Sequence, residues 1–230
     1  MTEGDEPTVF VEGDLDRAVM EALGFSEVFP DHGDGKGRDA AIRWAADKAK
    51  TLGSGPVALV LDRNGSTEQQ LLDEVRGELE RRWEKEPRTE GMTFTADGLA
   101  SVVLVPAGLP DASLMKELGI ERYMMDDYLL CLFLEDEALA AFCEGERQVA
   151  HRPESAAELQ GLIDETSSLL RERGIEIDTS KRCFDLIRAI MGLQPSRATI
   201  AENLVKRSPR EPRAKHLGDL ERSIRAMIDQ

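Results

Sequence analysis

TVFVEGDLD, residues 8–16, joins a short apolar run to a cluster of acids. An uninterrupted run of β-branched and aromatic residues is typical of a strand buried inside a parallel sheet. Apolar residues at helical spacing follow from Leu15 to Leu23, and Gly13 permits a sharp turn before them. The stretch therefore predicts a buried strand that ends at Glu12, a tight turn, and a helix.

The same pattern returns at residues 57–65, VALVLDRNG, where Asp62 directly follows the apolar run. Strand and helix patterns alternate as far as residue 106, which predicts an α/β fold. We expect a doubly wound, mainly parallel sheet of about four strands with helices on both faces. Patterns after that point are almost all helical. We therefore place an α/β core in residues 1–110 and a helical C-terminal region, packed on that core, in residues 111–230.

The composition is that of an ordinary globular protein. The chain has 230 residues, of which 41% are hydrophobic and 32% are charged. No apolar run approaches the roughly 18 residues that a membrane span requires, and the N-terminus lacks the basic and apolar order of a signal peptide. Three scattered cysteines form no metal-binding or disulfide pattern. We expect a cytoplasmic protein with no membrane partner.

The net charge of −16 is unevenly distributed. Residues 1–34 contain ten acids and one base, whereas residues 206–225 contain seven bases and three acids. An acidic protein repels nucleic acid at long range, but a basic segment offers a local binding surface. The candidate nucleic-acid-binding residues are Lys206, Arg207, Arg210 and Arg213. The basic segment is equally suited to a protein partner or to the chain's own acidic half.

Glu12 and Asp62 lie 50 positions apart in the sequence, yet the fold predicts that they meet. Parallel strands end at one edge of a sheet, and ligands bind in the crevice outside that edge. Two carboxylates there repel each other, and a hard cation such as Mg²⁺ relieves the repulsion. Asp16, one helical turn after Glu12, is a third candidate ligand. The alternative is that these acids cap helices or are simply solvated.

The two segments together resemble the TOPRIM (topoisomerase–primase) superfamily, in which a strand ending in Glu-Gly precedes a strand ending in Asp-x-Asp. VFVEGDLD and VALVLDRN carry this resemblance, and the Glu-Gly-x-x-Asp form is similar to that of OLD-type nucleases and small standalone TOPRIM proteins. The resemblance implies a nuclease that uses Mg²⁺ or Mn²⁺. It also implies that Glu12 is a metal ligand or the general acid and base, and that Asp16 and Asp62 are metal ligands.

Two later segments extend the resemblance, MMDDYLL at 124–130 and TSKRCFDLIRAI at 179–190. They imply that Asp126 lies close to the metal and that Lys181 stabilises charge on a scissile phosphate. The alternatives are a helix-capping role for Asp126 and an exposed helical position for Lys181.

Asn64 stands where the family has the second aspartate of Asp-x-Asp. An amide oxygen can bind Mg²⁺ but brings no charge, which weakens the case for a two-metal mechanism. A second hypothesis follows, namely a weakly active or inactive TOPRIM protein that binds a partner such as an ATPase in a repair or defence assembly. A third is a phosphatase in which Asp62 is the nucleophile.

Overall fold

The computed structural model of the chain describes residues 7–30, 36–109, 113–120 and 123–227. These residues form two compact units. The first unit runs up to Ala107 and resumes at Asp219, and the second is Gly108–Gly218. Among the described residues, every helix is too short or too polar to cross a membrane.

The first unit is built on a six-stranded mixed sheet, so the predicted α/β class is confirmed. The strands are β1 (Thr8–Phe10), β2 (Val28–Phe29), β3 (Pro56–Asp62), β4 (Arg88–Glu90), β5 (Thr93–Thr95) and β6 (Ser101–Ala107). Their order in the sheet is β2-β1-β3-β6-β5-β4. The first four positions are occupied by parallel strands, and β5 and β4 pair antiparallel at the edge. The sheet has more than the expected number of about four strands because this hairpin adds two.

Three helices connect the parallel strands: α1 (Asp14–Ala22), α2 (Arg38–Leu52) and α3 (Glu68–Trp83). Since β2 and β3 lie on opposite sides of β1, right-handed connections place α1 on one face of the sheet and α2 on the other. Helix α3 packs beside α2, and the Trp83 indole N–H donates to the Ala46 carbonyl at 3.1 Å. The sheet is therefore wound in both directions, as the alternating sequence pattern predicts.

The core of the first unit lies between the sheet and the α2–α3 layer. Alternate residues of β3 (Val57, Leu59 and Leu61) pack there against alanines of α2 and leucines of α3. The intervening residues Ala58 and Val60 are buried as well. A strand buried on both faces reads as a continuous apolar run, which explains why β3 gave the clearest strand signal in the sequence.

The second unit is helical. It contains α4 (Ser113–Glu117), α5 (Asp126–Phe133), α6 (Asp136–Gly145), α7 (Ala156–Glu172), α8 (Ser180–Met191), α9 (Arg197–Arg207) and the beginning of α10 (Arg210–Arg225). Every residue of α5 is buried, as expected of a helix that is apolar on nearly all sides. Phe133 of α5 makes edge contacts with Phe142 and Phe184, with ring centroids 5.2 and 5.7 Å apart.

The limits of the two units differ from the predicted boundary. Sequence patterning placed all residues after 110 in the helical region, whereas residues 219–227 belong to the first unit. Arg225 joins this part of the chain to the first unit, since its guanidinium donates to the Leu23 carbonyl at 3.0 Å and lies over the Phe25 ring. A contact between residues about 200 positions apart leaves no mark on local patterning.

Candidate functional site

Glu12 and Asp62 meet at the carboxyl edge of the sheet. Asp62 is the last residue of β3, and Glu12 lies two positions beyond the end of β1. Strands β1 and β3 are adjacent and parallel, with Phe10 opposite Leu59. The backbone N–H of Asp62 donates to Oε1 of Glu12 at 3.0 Å. The topology thus brings the two acidic segments together at neighbouring strand ends.

Arg38, at the start of α2, lies in the same crevice and contacts both segments. Its Nε donates to Glu12 Oε1 at 3.2 Å, and one terminal nitrogen donates to the Asp62 carbonyl at 2.5 Å. The other terminal nitrogen donates to Glu74 Oε2 on α3 at 3.1 Å. A second connection is made by the backbone, since Gly37 N–H donates to the Glu12 carbonyl at 2.8 Å. The N-terminus of α2 is therefore attached to both strand ends.

The environment of Glu12 favours its protonated form more than water does. Burial raises the pKa of Glu12 above its ordinary value, while Arg38 and the Asp62 N–H partly offset that rise. Both hydrogen bonds that the Glu12 carboxylate accepts from described residues end at Oε1. The side chain remains 15% exposed. One oxygen is thus held in place, and Oε2 has no hydrogen-bond donor in the described part of the chain.

Asp16 and Asn64 occupy positions that local structure explains. Asp16 is in the first turn of α1 and is buried, with its Oδ2 close to Gly13. Asn64 is exposed in the turn after β3, where Asn64 and Gly65 both have positive φ and Ser66 N–H donates to the Arg63 carbonyl at 2.7 Å. Asn and Gly are the residues that such a turn prefers. The proposed metal-binding roles of Asp16 and Asn64 stay predictions.

The donor chemistry at the sheet edge fits a hard cation, although the donors are few. Glu12 supplies carboxylate oxygens, and hydrogen bonds orient it as they do for many metal ligands. Asp62, the second acid, contacts Glu12 and Arg38 through its backbone. Among the described residues, no three His, Cys, Asp or Glu side chains are arranged to hold a metal ion. Mg²⁺ commonly binds through one or two carboxylates together with water and substrate phosphate. The residues present therefore fit a site that fills together with a phosphate.

Asp126 and Lys181 both lie in the second unit, where Asp126 is buried and Lys181 is exposed in the first turn of α8. Asp126 is the first residue of α5 and is ion-paired with Arg197 at the start of α9. Burial raises the pKa of Asp126, and the charges of Arg197 and Lys181 oppose this rise. Arg197 also lies 3.7 Å from Asp185 and over the Phe184 ring. The direct partner of Asp126 is thus Arg197, and the predicted roles of Asp126 near a metal ion and of Lys181 at a phosphate stay predictions.

Asp127, the residue after Asp126, connects the backbone of Leu109, at the beginning of the second unit, to α5. Its Oδ2 accepts the backbone N–H groups of Leu109 at 2.9 Å and Met124 at 3.2 Å. The side chain is fully buried. Burial raises the pKa of Asp127 to about 6, against the lowering effect of these N–H groups and of the Ser180 hydroxyl. This carboxyl therefore has a structural role.

Two of the four predicted nucleic-acid-binding residues are engaged in ion pairs. Lys206 pairs with Glu202 at 2.6 Å, and Arg207 lies 3.5 Å from Glu146. Arg210 is exposed and Arg213 is half-buried, and neither forms an ion pair with another described residue. The nucleic-acid surface stays a prediction, and Arg210 and Arg213 are the members available to bear it.

Sequence reasoning missed Arg38 and Glu74. Arg38 directly follows the glycine-rich segment DHGDGKG, residues 31–37. An arginine between a glycine-rich segment and a helical pattern was the available signal. Glu74 gave none, because exposed acids on helices are common.

A comparison of the chain with protein-family models, with curated proteins and with solved structures found no match.

Proposed function

We propose that this chain is a divalent-cation-dependent, TOPRIM-like enzyme of the cytoplasm that cleaves or transfers nucleic-acid phosphodiesters. The observation that supports it is the hydrogen bond of 3.0 Å between Asp62 N–H and Glu12 Oε1. It joins two acids from remote segments at the carboxyl edge of a parallel sheet, where α/β proteins bind ligands.

Glu12 is the central residue of the proposal. Its Oε1 is held by Arg38 and by the Asp62 N–H, whereas Oε2 accepts no hydrogen bond from another described residue. Burial raises its pKa, which brings the group closer to the range in which general acids and bases work at neutral pH. We assign to Glu12 both the orientation of a cation and the transfer of a proton. Asp62 is the second carboxylate.

Mg²⁺ or Mn²⁺, when bound, would polarise the phosphate and acidify a water molecule. Asp16, Asn64, Asp126 and Lys181 enter the proposal through the family resemblance, with the roles stated above. A nucleic-acid strand would meet Arg210 and Arg213 as the available cations of the basic segment.

The test is a cleavage assay on single- and double-stranded DNA and RNA with Mg²⁺ or Mn²⁺. Glu12→Gln and Asp62→Asn remove the proposed carboxylates with little change of shape, and Glu80→Gln on the exposed side of α3 is the matched control. We expect each of the first two variants to lose at least about 100-fold in rate, while the control retains wild-type activity. Equal cleavage by Glu12→Gln and by wild type would refute the mechanism.

One observation favours the second hypothesis, a TOPRIM-like protein that binds a partner without cleaving. Arg38 is ion-paired with Glu12 and already neutralises much of its charge. Under this hypothesis the wild-type protein binds no Mn²⁺ at millimolar concentration and cleaves nothing. Calorimetry with Mn²⁺, in the presence and absence of an oligonucleotide, distinguishes the two hypotheses.

A further inference from the structure

Arg38 holds three acceptors that come from three different elements. It contacts the carboxylate after β1, the last carbonyl of β3, and Glu74 of α3 at 3.2, 2.5 and 3.1 Å respectively. Only 18% of its side chain is exposed. Three directed hydrogen bonds already restrict the guanidinium, so little further side-chain entropy is lost when a ligand binds beside it. Arg38 is therefore a fixed component of the sheet-edge crevice.

The charge of Arg38 is permanent. Burial lowers its pKa, but the carboxylates of Glu12 and Glu74 outweigh burial and hold that pKa above its ordinary value. The guanidinium thus places a full positive charge against Oε1 of Glu12, while Oε2 of the same carboxylate accepts no hydrogen bond from another described residue. A divalent cation that binds Oε2 meets the repulsion of this charge over a distance much shorter than the Debye length.

We infer that Arg38 is a resident counter-cation of the sheet-edge site, which keeps divalent-ion binding weak until an anionic phosphate enters the crevice. This inference rests on the proposed function and adds its regulation. A phosphate contributes the negative charge that Arg38 has cancelled, so that the metal ion and the phosphate favour each other's binding by the same factor. The planar guanidinium also suits a phosphate, which it can bind through two parallel hydrogen bonds.

The experiment measures Mn²⁺ binding by calorimetry at pH 8, with the metal ion alone and no substrate. Arg38→Met removes the charge, and Arg38→Lys keeps the charge but gives up the forked hydrogen bonds. We expect Arg38→Met to bind Mn²⁺ at least about tenfold more tightly than wild type, since a like charge a few ångströms away has been removed. Arg38→Lys should stay within about threefold of wild type. Arg76→Met, at an exposed position on α3, controls for the change in net charge.

A double variant identifies the ligand. In Arg38→Met combined with Glu12→Gln, the gain in Mn²⁺ affinity should disappear, because the side chain at position 12 no longer carries a negative charge. Arg38→Gln replaces Arg38→Met if thermal denaturation shows that the methionine variant does not fold. Affinity in the folded, uncharged variant that is no higher than in wild type would overturn the inference. So would a gain that survives the loss of Glu12, or one that Arg38→Lys reproduces.

These measurements distinguish a failure of the inference about Arg38 from a failure of the proposed function. Tighter, Glu12-dependent Mn²⁺ binding without any cleavage would support the role of Arg38 and leave the protein as a conditional metal binder. Cleavage that depends on Glu12, with no change in Mn²⁺ affinity on removal of Arg38, would support the enzyme and refute this role.

Discussion

Replacement of the buried Asp127 by asparagine should stabilise the protein progressively as the pH rises from 5 to 8. The Asp127 carboxyl is fully buried, and two backbone N–H groups donate to its Oδ2. An amide oxygen can accept both hydrogen bonds, and the amide nitrogen takes the place of Oδ1. The substitution therefore keeps the shape of the side chain and removes its titration, and the N–H groups that it adds do not titrate and so leave the pH dependence of the difference unaffected.

The magnitude follows from linkage between protonation and folding. The folded state raises the pKa of Asp127 from 3.8 to about 6, so the folded protein favours the neutral carboxyl. Stability is then highest below the unfolded pKa and falls as pH rises through the folded pKa, by about 3 kcal/mol in total. About half of this loss, roughly 1.4 kcal/mol, falls between pH 5 and pH 8.

The assay is urea denaturation of wild type and Asp127→Asn at both pH values. Far-ultraviolet circular dichroism is the suitable probe because the second unit is helical, whereas both tryptophans, Trp44 and Trp83, lie in the first unit. The difference in unfolding free energy between variant and wild type should shift by about 1.4 kcal/mol in favour of the variant from pH 5 to pH 8. Glu144→Gln, at an exposed position, is the control for removing a negative charge. A difference that does not change with pH would refute the assignment of a raised pKa to Asp127.

Three further predictions concern the backbone, a helix cap and the basic segment. Gly108→Ala should lose about 2–4 kcal/mol of stability, because a Cβ there would lie 2.7 Å from atoms of Tyr123 and the residue has φ +111°. Gly174 has φ +78° but open space around it, so Gly174→Ala should lose only about 1 kcal/mol. Equal losses in urea denaturation would contradict the steric argument. Thr67→Ala should cost about 1 kcal/mol because Thr67 completes a capping box at the start of α3, and Thr67→Ser should recover most of that loss in the same measurement. Replacing Arg210 and Arg213 by alanine should weaken oligonucleotide binding and lower its salt dependence, which fluorescence anisotropy at several salt concentrations measures; an unchanged salt slope would exclude this surface.

The parallel part of the sheet could be predicted because its signal is local. Each of the runs that became β1, β3 and β6 is apolar and short, which is the pattern of a strand buried on both faces of a parallel sheet. The β4–β5 hairpin was only partly predictable from the sequence, because β4 lacks an apolar run. Arg88–Glu90 is polar and mostly exposed at the sheet edge, and only its antiparallel pairing with Thr93–Thr95 makes it a strand.

The candidate site was predictable in outline and not in its interactions. The positions of Glu12 and Asp62 follow from topology alone, because adjacent parallel strands must end together. The role of Arg38 does not follow, since its three acceptors lie 26, 24 and 36 positions away in sequence. Partners of a long cation are chosen by tertiary geometry, and sequence spacing carries no information about them. The pairing of Asp126 with Arg197 was not predicted for the same reason, since the two residues are 71 positions apart.

Asn64 shows how one residue can be interpreted in two ways until its backbone is known. As the third residue of Asp-x-Asn it suggested a weakened metal site. In the structure it has φ 48° in a turn with Gly65, a conformation that asparagine adopts more readily than most residues. A turn requirement alone suffices to select asparagine, so its presence is not evidence that catalysis has been lost. The choice between a cleaving enzyme and a binding protein therefore depends on the charges that surround Glu12. Arg38 is the cation in contact with Glu12, so its removal is the most direct way to change the charge of the site.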